Sequence, residues 1–320
     1  MTTRRRFVLA SASSVLAPGL AFAQARRVTI GILGPRAQSF FVPTIRQRLA
    51  DLGYREGPNV RVEYRHADGV IERFPQLARE LAGMGCDLIF AIGSEHAPRA
   101  LADARVSAPV VFLAIDYDPL EKKIVDSLAR SGRNMTGLYA LSTEAVLKRL
   151  EIAQELFPAA KRFLVFSDAF THDQLAALRK VAEARRAQLS VVEFKERPYK
   201  YAEAFAAGVR GGAEALFLLT SPVFADGRAA IDELSLKHRM PAVGFATPEG
   251  HFLVSFSADG QKMSNRVAEM GAQILRGAKA GDIPVQQADE FELAVSLKAA
   301  KALNLKVPYS VLARATRLIE

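Results

Sequence analysis

Short apolar runs recur along the chain and alternate with longer segments in which apolar positions return every three or four residues. The first kind reads as strands buried on both faces and the second as amphipathic helices. Their alternation predicts an α/β protein with parallel sheets covered by helices. VTIGIL (28–33), DLIFAIG (87–93) and PVVFLAI (109–115) are such strands in the first half. VRVEYR (60–65) differs, because Val60, Val62 and Tyr64 alternate with Arg61, Glu63 and Arg65. One of its faces is wet, which places it at a sheet edge. Helices are predicted over 43–52, stopped by Gly53, and over 72–84 and 96–105. The pattern then restarts. A helix over 143–157 carries Val146, Leu147, Leu150, Ala153 and Phe157 on one stripe and ends before Pro158. Strands follow at 162–168, 189–194, 215–221 and 241–246, with helices around 174–186, 201–209 and 228–238.

The tail breaks the alternation. HFLVSFSADG (251–260) is a strand that follows PAVGFA without the crossover helix a parallel neighbour needs, so the chain is expected to return there to the first half. The helix over 260–277 then packs on the first half, and FELAVSLKAAKALNL with the final VLARATRLIE belongs to the second. The predicted division is a leader over 1–23, a first lobe of 24–139 plus 252–284, and a second of 140–251 plus 285–320. The chain passes between lobes near Tyr139, His251 and Val285.

The leader changes how the charge is read. Arg4, Arg5 and Arg6 precede a weakly apolar Ala, Ser, Val and Leu stretch ending Ala21-Phe22-Ala23, the form of a cleavable export signal. Thr3-Arg4-Arg5-Arg6-Phe7-Val8 resembles the twin-arginine consensus, with the Sec route as the alternative. Cleavage removes three of the cations behind the net charge of +9, leaving a mild excess. The densest basic run, 178–188, spaces Arg179, Lys180, Arg185 and Arg186 as on the wet face of a helix, with no aromatic interleaving to suggest nucleic acid. Half the residues are apolar, enough for a sizeable core. The single cysteine, Cys86, reads as a small buried hydrophobe before a strand.

Six segments carry a family resemblance, in order along nearly the whole exported chain. They are IRQRLADLGYREGPNVRVEYRHADG, LARELAGMGCDLIFAIGS, PVVFLAIDYDPL, SLARSGRNMTGLY, KRLEIAQELFP and SLKAAKALNLKVPYSVLARATRLIE. Together they resemble the substrate-binding proteins of an ATP-driven uptake (ABC) family, some of whose members look like binders of aromatic amino acids. The resemblance implies a type I periplasmic binding protein: two Rossmann-like lobes, three interlobe crossovers and a ligand cleft between them. It also implies a periplasmic protein that delivers a small molecule to an inner-membrane ABC permease; a monomer is the default expectation. The chain departs from the family at Asp118-Pro119-Leu120-Glu121-Lys122-Lys123-Ile124-Val125 and at Ser131-Gly132-Arg133-Asn134. A ligand-sensing receptor subunit is the second reading and an exported enzyme the third.

In open parallel sheets ligands sit beyond the carboxyl ends of the strands. That rule selects the loop Gly34 to Phe40 after the first strand, Ser94 and Glu95, Asp116, Asp168 to Thr171, Thr220 and Ser221, and Phe245 to Thr247. Within it Gln38, Ser39, Phe40, Ser94, Glu95, Asp116, Phe170, Ser221 and Phe245 are the leading candidates, with Tyr139 near the first passage between lobes. An amino-acid ligand needs donors for its carboxylate, which Ser39, Ser94 and Ser221 offer, and an acceptor for its ammonium, which Asp116 or Glu95 offers. Phe40, Tyr139, Phe170 and Phe245 are candidates to wall an apolar slot. GILGPRAQSF is neither a dinucleotide fingerprint nor a phosphate loop, so no cofactor is expected. His66, His96, His172, His238 and His251 show no metal-ligand spacing, and no G-x-S-x-G elbow occurs, so neither a metal nor catalysis is expected.

Overall fold

A computed structural model describes residues 27–37, 39–245 and 252–320. The leader, Gln38, Ala246, Thr247 and His251 lie outside the described residues. The chain builds two sheets. The first contains β1 (Val28–Gly34), β2 (Val60–His66), β3 (Leu88–Gly93), β4 (Val110–Ile115) and β5 (Met135–Ala140). The second contains β6 (Arg162–Ser167), β7 (Gln188–Glu193), β8 (Ala215–Leu218), β9 (Ala242–Gly244) and β10 (Val254–Ala258). The chain then gives β11 (Gln286–Gln287) back to the first sheet and ends in the second with β12 (Phe291–Ser296) and β13 (Arg317–Ile319). The orders are β11-β5-β4-β3-β1-β2 and β13-β12-β10-β9-β8-β6-β7. Every pairing is parallel except β10 with β12. The half-polar β2 is the edge strand expected from its alternation.

The helices are α1 (Phe41–Asp51), α2 (Phe74–Ala82), α3 (His96–Asp103), α4 (Ser142–Leu156), α5 (His172–Ala184), α6 (Tyr201–Arg210) and α7 (Pro222–Lys237). After them come α8 (Gly260–Leu275), α9 (Leu297–Leu303) and α10 (Tyr309–Leu312). Each sheet is dry on both faces, giving four apolar clusters. On the first sheet, α1 and α8 cover Ile30, Ile32, Phe90 and Leu113, while α2 and α3 cover Leu33, Ile89 and Phe112. On the second, α4, α5 and α9 cover Phe163, Val165 and Phe217, while α6 and α7 cover Leu164, Phe166 and Leu218. Cys86 is a free, buried thiol just before β3, and burial raises its pKa. Arg179, Lys180, Arg185 and Arg186 are exposed on and just beyond α5.

The topology corrects the passages between lobes. Val254–Ala258 stays in the second sheet, parallel to β9, instead of returning to the first. Because β9 is only three residues long, residues 245–253 suffice to bring the chain back to the starting end of a parallel neighbour. A crossover helix is needed when a full-length strand must be retraced. The chain therefore changes lobe at Asp259, not near His251. The third passage follows Gln287, which pairs with Tyr139, rather than Val285. Two further elements differ from expectation. Helix α7 begins at Pro222, six residues early, because Ser221 caps it by accepting from the Val223 amide and proline suits the first helical position. The apolar pattern predicts no strand at β5, because Gly137 interrupts its run.

Gly137 is needed there. A Cβ at this position would stand 2.1 Å from the Phe112 carbonyl oxygen on β4, so a side chain would force the two strands apart. Gly137→Ala is expected to destabilise the protein by about 3 kcal/mol, read as a lower urea midpoint. An unchanged midpoint would mean that the strands separate freely.

Candidate functional site

The carboxyl ends of β1, β3 and β4 face those of β6, β8 and β9 across one cavity of about 1070 Å³. This is the top of the size range for a small-molecule site. The first lobe contributes the β1–α1 loop, Ser94 and Asp116; the second contributes Phe170, Thr220, Ser221 and Phe245. The walls are largely apolar, with Phe40, Phe41, Phe170, Phe245 and Phe291 supplying rings.

The lobes touch across this cavity. Arg36 after β1 forms an ion pair with Asp226 on α7, and Lys122 Nζ lies 2.8 Å from Asp173 Oδ2 at the start of α5. Gln174 on α5 is fully buried and donates from Nε2 both to Asp116 Oδ2 of the first lobe and to the Thr220 carbonyl at 2.8 Å. Its Oε1 accepts from the Thr220 amide at 2.8 Å. The His96 and Phe170 rings meet edge to face at 6.3 Å between centroids.

Asp116 is the site's most perturbed group. It ends β4 in the left-handed conformation, φ 72°, and its Oδ1 is sealed from solvent without a hydrogen-bond partner. Burial pushes its carboxyl up to about 8, against the opposing pull of Gln174 and Arg149. Asp173 and Glu95 add to the upward push. Ser94 Oγ is likewise buried and unpartnered. Leaving a carboxyl oxygen and a hydroxyl unsatisfied is costly, so both atoms are open to a polar partner in the cavity.

Of the residues selected from sequence, Ser39, Phe40, Ser94, Asp116, Phe170, Ser221 and Phe245 line the cavity. Gln38 lies outside the described residues. Glu95 is not among the lining residues; its carboxylate lies 4.0 Å from Lys122 Nζ beside α3. Tyr139 is buried in the first-lobe core and donates to Gln287 Oε1 at 3.3 Å. On β5 its neighbours Leu138 and Ala140 face the other cluster, and strand alternation turns its ring from the cleft. Ser221 lines the cavity, but its hydroxyl donates to Asp168 Oδ2 at 2.5 Å and accepts from Val223 N at 3.0 Å. Asp168 also accepts from Tyr199 and from the Phe170 amide; burial raises its pKa and these bonds oppose the rise.

Thr220, selected by the strand-end rule together with Ser221, also lines the cavity. Two residues outside that selection matter as well, and one of them, Gln174, bridges the lobes. Arg149 on α4 is fully buried and donates to Leu218 O at 2.7 Å and Thr220 Oγ1 at 2.9 Å. Burial lowers its pKa to about 10, and Asp116 opposes that shift. Arg149 was legible in principle: it stands three residues after Val146 and four before Ala153, within the apolar stripe.

Asp116 titrates near 3.8 when unfolded and at about 8 when folded. Folding therefore takes up a proton between those values. The group's contribution to stability is most favourable below pH 3.8 and is lost as pH rises to 8. Asp116→Asn keeps an acceptor for Gln174 and tolerates the left-handed backbone, so its melting-temperature advantage over the wild type is expected to widen from pH 5 to pH 8. An offset equal at both pH values would count against a buried, proton-binding Asp116.

The chain matches the family model described as ABC transporter substrate binding protein over residues 32–319. A tyrosine-binding protein of Clostridioides difficile (strain R20291) is 24% identical over 263 residues, 81% of this chain and 74% of that one. The ABC domain from Streptococcus pneumonia solved in complex with L-Trp is 22% identical, with a TM-score of 0.78 over 92% of this chain and 100% of that one. A ligand-free, open substrate-binding protein with adhesive properties from Clostridium difficile is 21% identical, with a TM-score of 0.62 over 92% and 99%. The two mostly parallel sheets and the cleft between them are those of the type I periplasmic binding fold. With the match spanning almost every residue of both lobes, the chain belongs to the ABC transporter substrate-binding protein family.

Proposed function

We propose that the protein binds an aromatic amino acid in the interlobe cleft and hands it to an inner-membrane ABC permease, acting as a monomer in the periplasm after removal of residues 1–23. It holds its ligand without transforming it. The observation that carries the ligand class is Asp116, a buried carboxyl with one oxygen unpaired, bordering a cavity walled by aromatic rings. A ligand ammonium satisfies that oxygen and favours the ionised carboxylate. Phe40, Phe170 and Phe245 receive the side chain, and Ser39 and Ser94 add polar contacts. The tyrosine-binding relative and the L-Trp complex support the same class.

The ligand bridges the lobes and favours the closed arrangement because it makes contacts there that the open one lacks. Supporting this, the chain overlays better on the L-Trp complex than on the open, ligand-free protein at nearly equal identity. The cross-lobe contacts of Arg36, Lys122 and Gln174 are those of a closed cleft.

Calorimetric titration of the protein lacking residues 1–23 with L-tyrosine and L-tryptophan is expected to show binding, weakened by about 1.5–3 kcal/mol in Asp116→Asn. Binding of neither amino acid overturns the ligand class, and equal affinity in the variant removes Asp116 from the site. Because an ammonium replaces the proton on a carboxyl that titrates at about 8, affinity is expected to rise from pH 6 to pH 8. A flat profile would show that Asp116 is already ionised in the free protein.

A further inference from the structure

The hydroxyl that sequence reasoning assigns to a ligand carboxylate, Ser221, is committed to Asp168 and to capping α7. Its neighbour Thr220 is not. The Thr220 amide donates to Gln174 Oε1, its carbonyl accepts from Gln174 Nε2, and its Oγ1 accepts from Arg149 Nη2. With that oxygen acting as acceptor toward Arg149, the hydroxyl proton has no acceptor among the described residues, and Thr220 lines the cavity. A hydroxyl whose oxygen takes a bond from a cation is a stronger donor through its own proton.

Arg149 itself is unusual. It is fully buried, and its three side-chain hydrogen bonds run to Ala145 O, Leu218 O and Thr220 Oγ1, none of them to a carboxylate. Buried charges are ordinarily paired. Asp116 is the acidic group whose charge acts on it, and an Asp116 carrying a proton or facing a ligand ammonium leaves that positive charge with only neutral oxygens and the Phe217 ring, 6.0 Å from its Cζ, around it. A carboxylate at Thr220 supplies what is missing.

The two ends of this arrangement are also joined through one side chain. One amide, that of Gln174, hydrogen-bonds both Asp116 of the first lobe and the Thr220 backbone of the second. An α-amino acid carries its ammonium and carboxylate on a single carbon, so a head group that reaches Asp116 also reaches the residue beside it. Resting on the amino-acid reading above, we propose that Thr220 receives the ligand's α-carboxylate while Asp116 receives its α-ammonium. One zwitterionic head group thereby ties the two lobes together over Gln174. Arg149 is a positioning residue: it holds the Thr220 oxygen, turns the hydroxyl proton to the ligand and places a positive charge behind it.

The test is calorimetric titration of L-tyrosine and L-tryptophan, each beside its decarboxylated amine, tyramine or tryptamine, into the wild type, Thr220→Ser, Thr220→Val and Arg149→Met. Thr220→Ser keeps the hydroxyl and is expected to bind the amino acids as the wild type does. Thr220→Val keeps the shape and is expected to bind them about 10-fold or more weakly, with amine binding unchanged. Arg149→Met is expected to reduce the preference for amino acid over amine, a ratio that general damage to the fold leaves alone. Should Arg149→Met not fold, the two Thr220 variants decide the matter. Amino-acid affinity in Thr220→Val equal to the wild type, or an equal loss for amino acid and amine, overturns this proposal and leaves the amino-acid reading standing. A wild type that binds neither amino acid overturns both.

Discussion

The side-chain amide of Gln174 gives both of its protons and its oxygen to partners on two different lobes, and it does so with no contact with water. That arrangement exists only when the carboxyl end of β4 and the carboxyl end of β8 are brought together. Opened, the cleft would leave Gln174 and Asp116 to water; closed, it commits Asp116 to one donor and leaves its other oxygen in want of a partner. The chemistry of the cavity follows from this junction. An acid held in a closed, largely apolar space favours its proton.

The lobes that meet there are alike in construction. Each is a sheet whose central strands are dry on both faces, so those strands are short runs of apolar residues, and the covering helices show an apolar stripe. Such strands end abruptly at polar loops, and the loops at one end of each sheet are the cavity's rim. Polar residues placed just past a strand, such as Ser94 and Asp116, inherit a position between dry core and open cleft. Arg149 reaches the same junction by another route, from the apolar stripe of α4, with its guanidinium ending on Leu218 and Thr220 under the rim.

The chain passes three times between lobes, after β5, after β10 and after β11. The second passage is instructive. A rule about the length of parallel crossovers, correct for strands of ordinary length, fails at a strand of three residues, because little distance has to be retraced. The same locality explains β5. Glycine within an apolar run reads as an interruption, whereas at Gly137 it is what allows two backbones to approach.

By itself the sequence determined the alternation of strands and helices, the edge position of β2 and the loops in which a site had to lie, because burial on two faces and helical periodicity are written in residue order; the two-lobed family fold was implied by the resemblance of six segments. Local order also placed Ser94, Asp116 and Phe170 at strand ends. Which of these polar groups are free was decided only by tertiary structure. Ser221 is occupied by Asp168, Glu95 stands near Lys122, and Tyr139 turns into the core, all through contacts with residues distant in the chain or through the pleat of a strand that the sequence disguised. Thr220, Gln174 and Arg149 meet because three elements far apart in sequence converge on one junction, and hydrogen-bond satisfaction is a property of that convergence rather than of any segment.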